Sequence, residues 1–140
     1  MQIARLHPSI QRLAREHLIR AEHAGLVVLV TAGLRTEAEQ LALYAQGREL
    51  RAGQWVVVDS AHVVTHALPE QGPHCRGAAY DLCPLVAERC AWDRLDLFER
   101  LGVLGEGLGL SWGGRWPKLK DMPHFELPGW QLLPFPPVAP

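Results

Sequence analysis

Two segments in the second half of the chain carry side chains that could share one ion. They are Gly72-Pro73-His74-Cys75-Arg76-Gly77-Ala78-Ala79-Tyr80-Asp81 and Asp121-Met122-Pro123-His124-Phe125-Glu126. Together they supply two imidazoles, a carboxylate seven residues after the first imidazole and another three residues before the second. Three such ligands, an open position for water and a nearby carboxylate make a catalytic zinc with its own general base. Each ligand must bring a donor atom within about 2.0–2.2 Å of the metal. A straight helix would hold the Cα atoms of His74 and Asp81 about 10.5 Å apart. A straight strand would hold them about 23 Å apart with the side chains on opposite faces. The chain is therefore expected to bend between them, most easily at Gly77, which lacks a Cβ and tolerates positive φ.

The flanking residues say how these groups are presented. Tyr80-Asp81-Leu82-Cys83 reads as a short strand ended by Pro84. Pro123 disfavours helix at Met122 and delivers the chain into an extended His124-Phe125-Glu126-Leu127. Alternation then puts His124 and Glu126 on one face and turns Phe125 and Leu127 to the core. Asp121 lies before the proline, where it can overhang the metal without binding it, and Glu126 is the rival base because it shares the face of His124.

The pattern His-x-x-Gly-x-Ala-x-Asp followed by Asp-x-x-His resembles the zinc peptidases of the LAS group. More narrowly, it resembles their D-Ala-D-Ala carboxypeptidase and L-alanyl-D-glutamate endopeptidase family, which includes phage endolysins. Three further stretches are similar to that family. They are Thr31-Ala32-Gly33-Leu34-Arg35-Thr36 with Gln40 and Leu43 to Arg48, then Trp112-Gly113-Gly114-Arg115-Trp116, and the opening Leu6-His7-Pro8. Each motif alone is weak, but the ordered set spans nearly the whole chain.

Position by position, the resemblance implies zinc ligands His74, Asp81 and His124, Asp121 as general base, and Arg35 on the substrate carbonyl or carboxylate. Trp112, Gly72 and Gln40 are the expected substrate contacts. Gly72 stands where the family usually carries a serine, so this chain lacks a hydroxyl there. The implied function is hydrolysis of the peptidoglycan stem peptide, at the L-Ala-D-Glu bond as the first expectation. A D-Ala-D-Ala carboxypeptidase or dipeptidase is the alternative. A reading of another class is a wall-binding or phage structural module without turnover, as in related hedgehog-type domains; the full set of catalytic positions weighs against it.

Composition bounds these readings. At 140 residues the chain is large enough for one domain with an ordinary core. Fourteen basic against 15 acidic residues leave no electrostatic footprint for nucleic acid or an anionic membrane. Three cysteines form no framework, which suggests synthesis in a reducing compartment. Charged residues interrupt the N-terminus, so no signal-peptide core is expected, and Leu26 to Val30 is too short to insert in a bilayer. A monomer made in the cytoplasm, reaching the wall by a phage- or prophage-type release, follows as the expectation. Residues 1–127 are expected to form the peptidase domain, and the proline-rich 128–140 a strap or loose end.

The elements that must position the site read as follows. Pro8 to Ala24 is an amphipathic helix ended by Gly25. Leu26 to Val30 is a buried strand delivering Arg35 to the loop beyond it. Thr36 with Glu39 caps a second helix that closes at Gly47. Trp55 to Asp59 and His62 to Val64 are strand candidates, Ala91 to Leu101 is a third helix, and Gly102 to Gly109 is too glycine-rich to assign. This order favours α+β, a small antiparallel sheet with helices packed on one side. His62 and His66 have helical metal spacing, but the β-branched residues between them oppose a helix. His7, His17 and His23 read as ordinary surface histidines.

Overall fold

A computed structural model describes residues 2–135. Its sheet runs in the order β1-β4-β7-β6, all antiparallel, with β5 paired to the far end of β4. The strands are β1 (Val28–Ala32), β4 (Ala79–Val86), β5 (Arg89–Cys90), β6 (Ser111–Trp112) and β7 (His124–Glu126). Between β1 and β4 the chain forms a separate hairpin of β2 (Arg48–Arg51) and β3 (Gln54–Val57). The α-helices of the described residues are α1 (Pro8–His23), α2 (Glu37–Ala45) and α3 (Leu95–Glu106).

Alternation in β4 organises the whole molecule, since successive side chains leave a strand on opposite faces. Tyr80 and Leu82 turn to one side and join Ile10, Ala14, Leu101 and Phe125 in the core. Asp81 turns to the other side, toward the site. The core side is roofed by α1 and α3, so the expected α+β architecture is the one observed. α2 lies apart from that roof, with Gln40 reaching the backbone of Ala67.

Several elements differ from the sequence expectation for physical reasons. β1 is an edge strand and not a buried one, with Val27 and Leu29 exposed, because among the described residues only β4 pairs with it. Its register slips between Val30 and Ala32, and the bulge sits just before the loop that carries Arg35. β4 continues through Pro84 to Val86: β7 has already ended there, and the proline carbonyl accepts from the Ala91 N–H. His62 to Val64, a strand candidate, is not a strand: His62 ends a 3-10 turn over Ser60–His62, and Val63 and Val64 follow it outside any strand.

α3 starts later than expected and runs through Gly102 and Gly105. Those glycines are packing residues. A Cβ on Gly102 would lie 2.3 Å from the Trp112 ring, and one on Gly105 would lie 2.6 Å from Phe125. Removing side chains lets the helix sit directly on two aromatic rings, an advantage that outweighs the roughly 1 kcal/mol helix penalty of each glycine.

His17 is no surface histidine. It is fully buried, with Nε2 2.9 Å from the Leu101 carbonyl and Nδ1 2.7 Å from the Tyr80 hydroxyl. A carbonyl only accepts, so Nε2 carries the proton and Nδ1 accepts from the tyrosine. Burial holds the imidazole below its ordinary pKa. The unfolded chain therefore binds more protons than the folded one below about pH 6.5. Stability from this group is complete above that value and is lost as pH falls toward the depressed folded pKa. Thermal unfolding of metal-free protein from pH 8 to 5 should show this acid slope. His17→Gln, which cannot take up the proton, should flatten the slope while costing about 1–3 kcal/mol at neutral pH.

Candidate metal centre

Each of the three candidate ligands is held by a different piece of backbone. His74 opens a 3-10 turn, His74–Arg76, that ends at Gly77 in the left-handed region at φ 67°. A Cβ there would meet the His7 nitrogen at 2.9 Å, so both the conformation and the space demand glycine. The expected bend thus turns the chain from His74 into β4, where Asp81 pairs with His124 of β7 across the ladder. Sequence-distant groups are brought side by side by one antiparallel register.

Hydrogen bonds on the far side of each ring set which nitrogen faces the centre. His74 Nδ1 lies 2.9 Å from the Gly33 carbonyl, so it donates there and leaves Nε2 pointing at Asp81. His124 Nε2 lies 2.8 Å from Glu126 Oε1 and donates to it, leaving Nδ1 inward. Asp81 Oδ1 is 3.4 Å from each inward nitrogen, buried, and without a hydrogen-bond partner among the described residues. The three ligand atoms all lie within 4.8 Å of one another. Three lone-pair donors converging on one point repel one another unless a proton or a cation sits among them. An orphaned carboxylate oxygen between two oriented imidazoles is thus a fit for a metal, and this donor set suits zinc.

The electrostatics agree. Burial opposes ionisation of Asp81, yet its contacts with His124 and His74 hold the carboxyl well below the usual carboxylate range. Burial likewise opposes protonation of His124, but Asp81 and Glu126 raise its pKa to about 9. The site attracts positive charge to its centre.

Asp121 stands beside this trio, its Oδ2 3.9 Å from His124 Nδ1 and its side chain 46% exposed to the cleft. Burial and the negative charge of Asp81 raise its carboxyl above the ordinary range. Its backbone is fixed by an N–H donated to the Gly113 carbonyl. A Cβ on Gly113 would lie 2.3 Å from the Asp121 carbonyl oxygen, and one on Gly114 would lie 2.2 Å from the Trp112 ring. The Trp-Gly-Gly stretch is therefore a close-packed seat for the Asp121 segment.

These groups line a cleft of about 600 Å³. Arg35 reaches it, its guanidinium donating to Gln40 Oε1 at 2.8 Å. Gln40 is buried and its amide donates to the Ala67 carbonyl at 2.7 Å, so it orients Arg35 with both ends of its carboxamide already engaged. Gly72 lies on the cleft wall, where a Cβ would touch only the Ala67 Cβ at 3.5 Å. Trp112 is not a cleft residue. It is 4% exposed, in the core, with its indole N–H given to the Met122 carbonyl. Trp116 takes the place expected for it, its ring 5.1 Å from that of His124. Trp130, from the proline-rich tail, also lines the cleft and drew no attention in the sequence, because nothing local marks it.

Glu126 is now placed as the partner that fixes the His124 ring. Glu126→Gln should weaken metal binding by about 10- to 100-fold, since such supporting carboxylates set ligand tautomer and basicity. Competition with a chromogenic chelator would measure it.

This build is that of the M15 peptidases, and the chain belongs to that family. The family model described as D-alanyl-D-alanine carboxypeptidase matches residues 66–127. The peptidoglycan L-alanyl-D-glutamate endopeptidase CwlK of Bacillus subtilis (strain 168) is 30% identical over 132 residues, covering 87% of this chain and 73% of the relative. Among solved structures, the L-Ala D-Glu endopeptidase ChiX of Serratia marcescens superposes with a TM-score of 0.60 at 26% identity, covering 90% of this chain and 83% of that one. The vancomycin resistance D,D-pentapeptidase VanY from a VanB-type cassette, solved with Zn(II), shares the fold with a TM-score of 0.65 at 16% identity, covering 90% and 74%.

Proposed function

We propose that this protein is a zinc-dependent peptidoglycan peptidase that cuts the L-alanyl-D-glutamate bond of the stem peptide. The observation that carries the proposal is the convergence of His74 Nε2, Asp81 Oδ1 and His124 Nδ1, with Asp121 beside them in an open cleft. CwlK and ChiX, named for that cleavage, favour this bond. The family description favours a D-alanyl-D-alanine carboxypeptidase as the second reading.

His74, Asp81 and His124 would hold the zinc, which when bound supplies a Lewis acid that polarises a carbonyl and makes a water acidic near pH 7. The protein's own groups do the rest. Asp121, free to meet solvent in the cleft, takes the proton of the attacking water and passes it to the leaving amine. Arg35, steadied by Gln40, offers a guanidinium to the developing oxyanion or to a substrate carboxylate. Trp116 shields the His124 side of the centre from bulk water.

No helix among the described residues is long and apolar enough to cross a membrane. An endolysin-type role, with release to the wall by a phage or prophage route, belongs to the same proposal, as do action as a monomer and the assignment of 1–127 to the peptidase domain. The last five residues of the expected tail lie outside the described part.

Digestion of purified muropeptides followed by mass analysis decides the bond. Release of the L-Ala-linked glycan from a peptide beginning with D-Glu is expected. Loss of a single terminal D-Ala instead would replace the endopeptidase with the carboxypeptidase, and no new amine at all would leave a wall-binding module.

A further inference from the structure

The C-terminal turn after β7 is built into the cleft. Gly129, at φ 81°, starts a 3-10 turn over Trp130–Leu132, tied down by Trp130 N–H to the Leu127 carbonyl and by Leu127 N–H to the Ala78 carbonyl. Trp130 is 9% exposed, and both it and the exposed Gln131 line the cleft that holds the candidate metal centre. This turn lies beyond residue 127, where the family match ends.

What holds the turn is unusual. The guanidinium of Arg76 lies 5.5 Å from the Trp130 ring and 4.3 Å from that of Phe135. Its Nε and Nη1 are buried without a hydrogen-bond partner among the described residues. Aromatic faces take the place of water around the cation. Arg76 ends the same 3-10 turn that begins with His74, so the tail is clamped to the piece of chain that presents a candidate ligand.

We propose that this turn is a substrate-binding element, with Trp130 and Gln131 as specificity-determining residues for the stem peptide. Trp130 gives an apolar wall to a substrate side chain, and the Gln131 carboxamide, which both donates and accepts, pairs with a main-chain amide of the peptide. Arg76 is the positioning residue that fixes the indole. The idea rests on the peptidase reading above and deepens it.

The test compares zinc-loaded wild type with Gln131→Ala, Trp130→Ala and Trp130→Phe on a synthetic stem tetrapeptide and on purified muropeptides. Calorimetry of the tetrapeptide on the metal-free proteins provides a second readout. Gln131 is exposed, so its variant should fold as wild type does. Expected are a KM raised about 3- to 10-fold in Gln131→Ala, the worth of one hydrogen bond, and at least 10-fold in Trp130→Ala. Zinc content should stay the same, kcat should stay within about threefold, and Trp130→Phe should recover most of the loss. Tetrapeptide affinity should fall in parallel. Wild-type KM and affinity in both alanine variants would overturn the proposal. So would loss of zinc and kcat in Trp130→Ala beside an unaltered Gln131→Ala, which would make the turn a strap for His74 alone. A wild type that binds the tetrapeptide but cleaves nothing would sink the peptidase reading, while the calorimetric comparison would still decide whether the turn contacts peptide.

Discussion

In His124→Ala, bound zinc should fall from one per chain to a trace, and wall hydrolysis should vanish with it. The expected loss is the largest for any single substitution because His124 serves the site in two ways. Its Nδ1 is one of the three inward donors, and its Nε2 occupies Glu126. Removing the ring leaves Asp81 facing only His74 and leaves Glu126 without its partner, inside a site that still holds Asp121. Three carboxylates then share a pocket with one imidazole, and zinc retains only two of its ligands. A readout independent of turnover follows from linkage. With free zinc at about 100 times its dissociation constant, the wild type should gain about 2.7 kcal/mol. In a domain of this size that is a rise of about 10 °C in Tm. The variant should show almost no zinc-dependent rise, measured beside atomic-absorption stoichiometry. A full metal load with an unchanged thermal shift would remove His124 from the ligand set.

Much of that site was legible in the sequence because its parts are local rules. Gly77 predicts the bend, Pro123 predicts the extended entry to β7, and period-two alternation predicts that His124 and Glu126 share a face. Sequence could not say that Glu126 bonds to the ring instead of standing free, since that depends on which nitrogen turns inward. The inward nitrogen is set by the Gly33 carbonyl for one ring and by Glu126 for the other. Trp112 misled for a related reason. It was expected to touch substrate, yet Gly102 and Gly114 are small so that its ring can be buried between them. Glycines likewise hid the C-terminal end of α3 beyond Leu101, where Gly102 and Gly105 face aromatic rings. His17 looked like a surface residue because its partners, Tyr80 and Leu101, are more than sixty positions away. Contacts of that kind are written in the register of the sheet and the roof of helices, which no window of sequence contains.

Asp121→Ala should separate binding from chemistry. The variant should hold one zinc per chain, bind peptide as wild type does, and lose about 10²- to 10⁴-fold in kcat, the usual worth of a positioned proton acceptor. Geometry distinguishes Asp121 from its rival. Glu126 spends an oxygen on His124 Nε2 at 2.8 Å, on the side of the ring turned away from Asp81. Asp121 approaches the inward nitrogen at 3.9 Å, too far for a hydrogen bond and near enough to reach a water held among the ligands. Its carboxyl, raised by burial and by Asp81, is a better proton acceptor than an ordinary surface aspartate. Asp121→Asn controls for shape, since it keeps the size of the side chain and the backbone seat on Gly113 but cannot take a proton. Both variants should fall together in kcat with KM nearly unchanged, the signature of an interaction made only in the transition state. Hydrolysis retained in zinc-loaded Asp121→Ala, and lost in a zinc-loaded Glu126→Gln, would move the proton acceptor across the strand to Glu126.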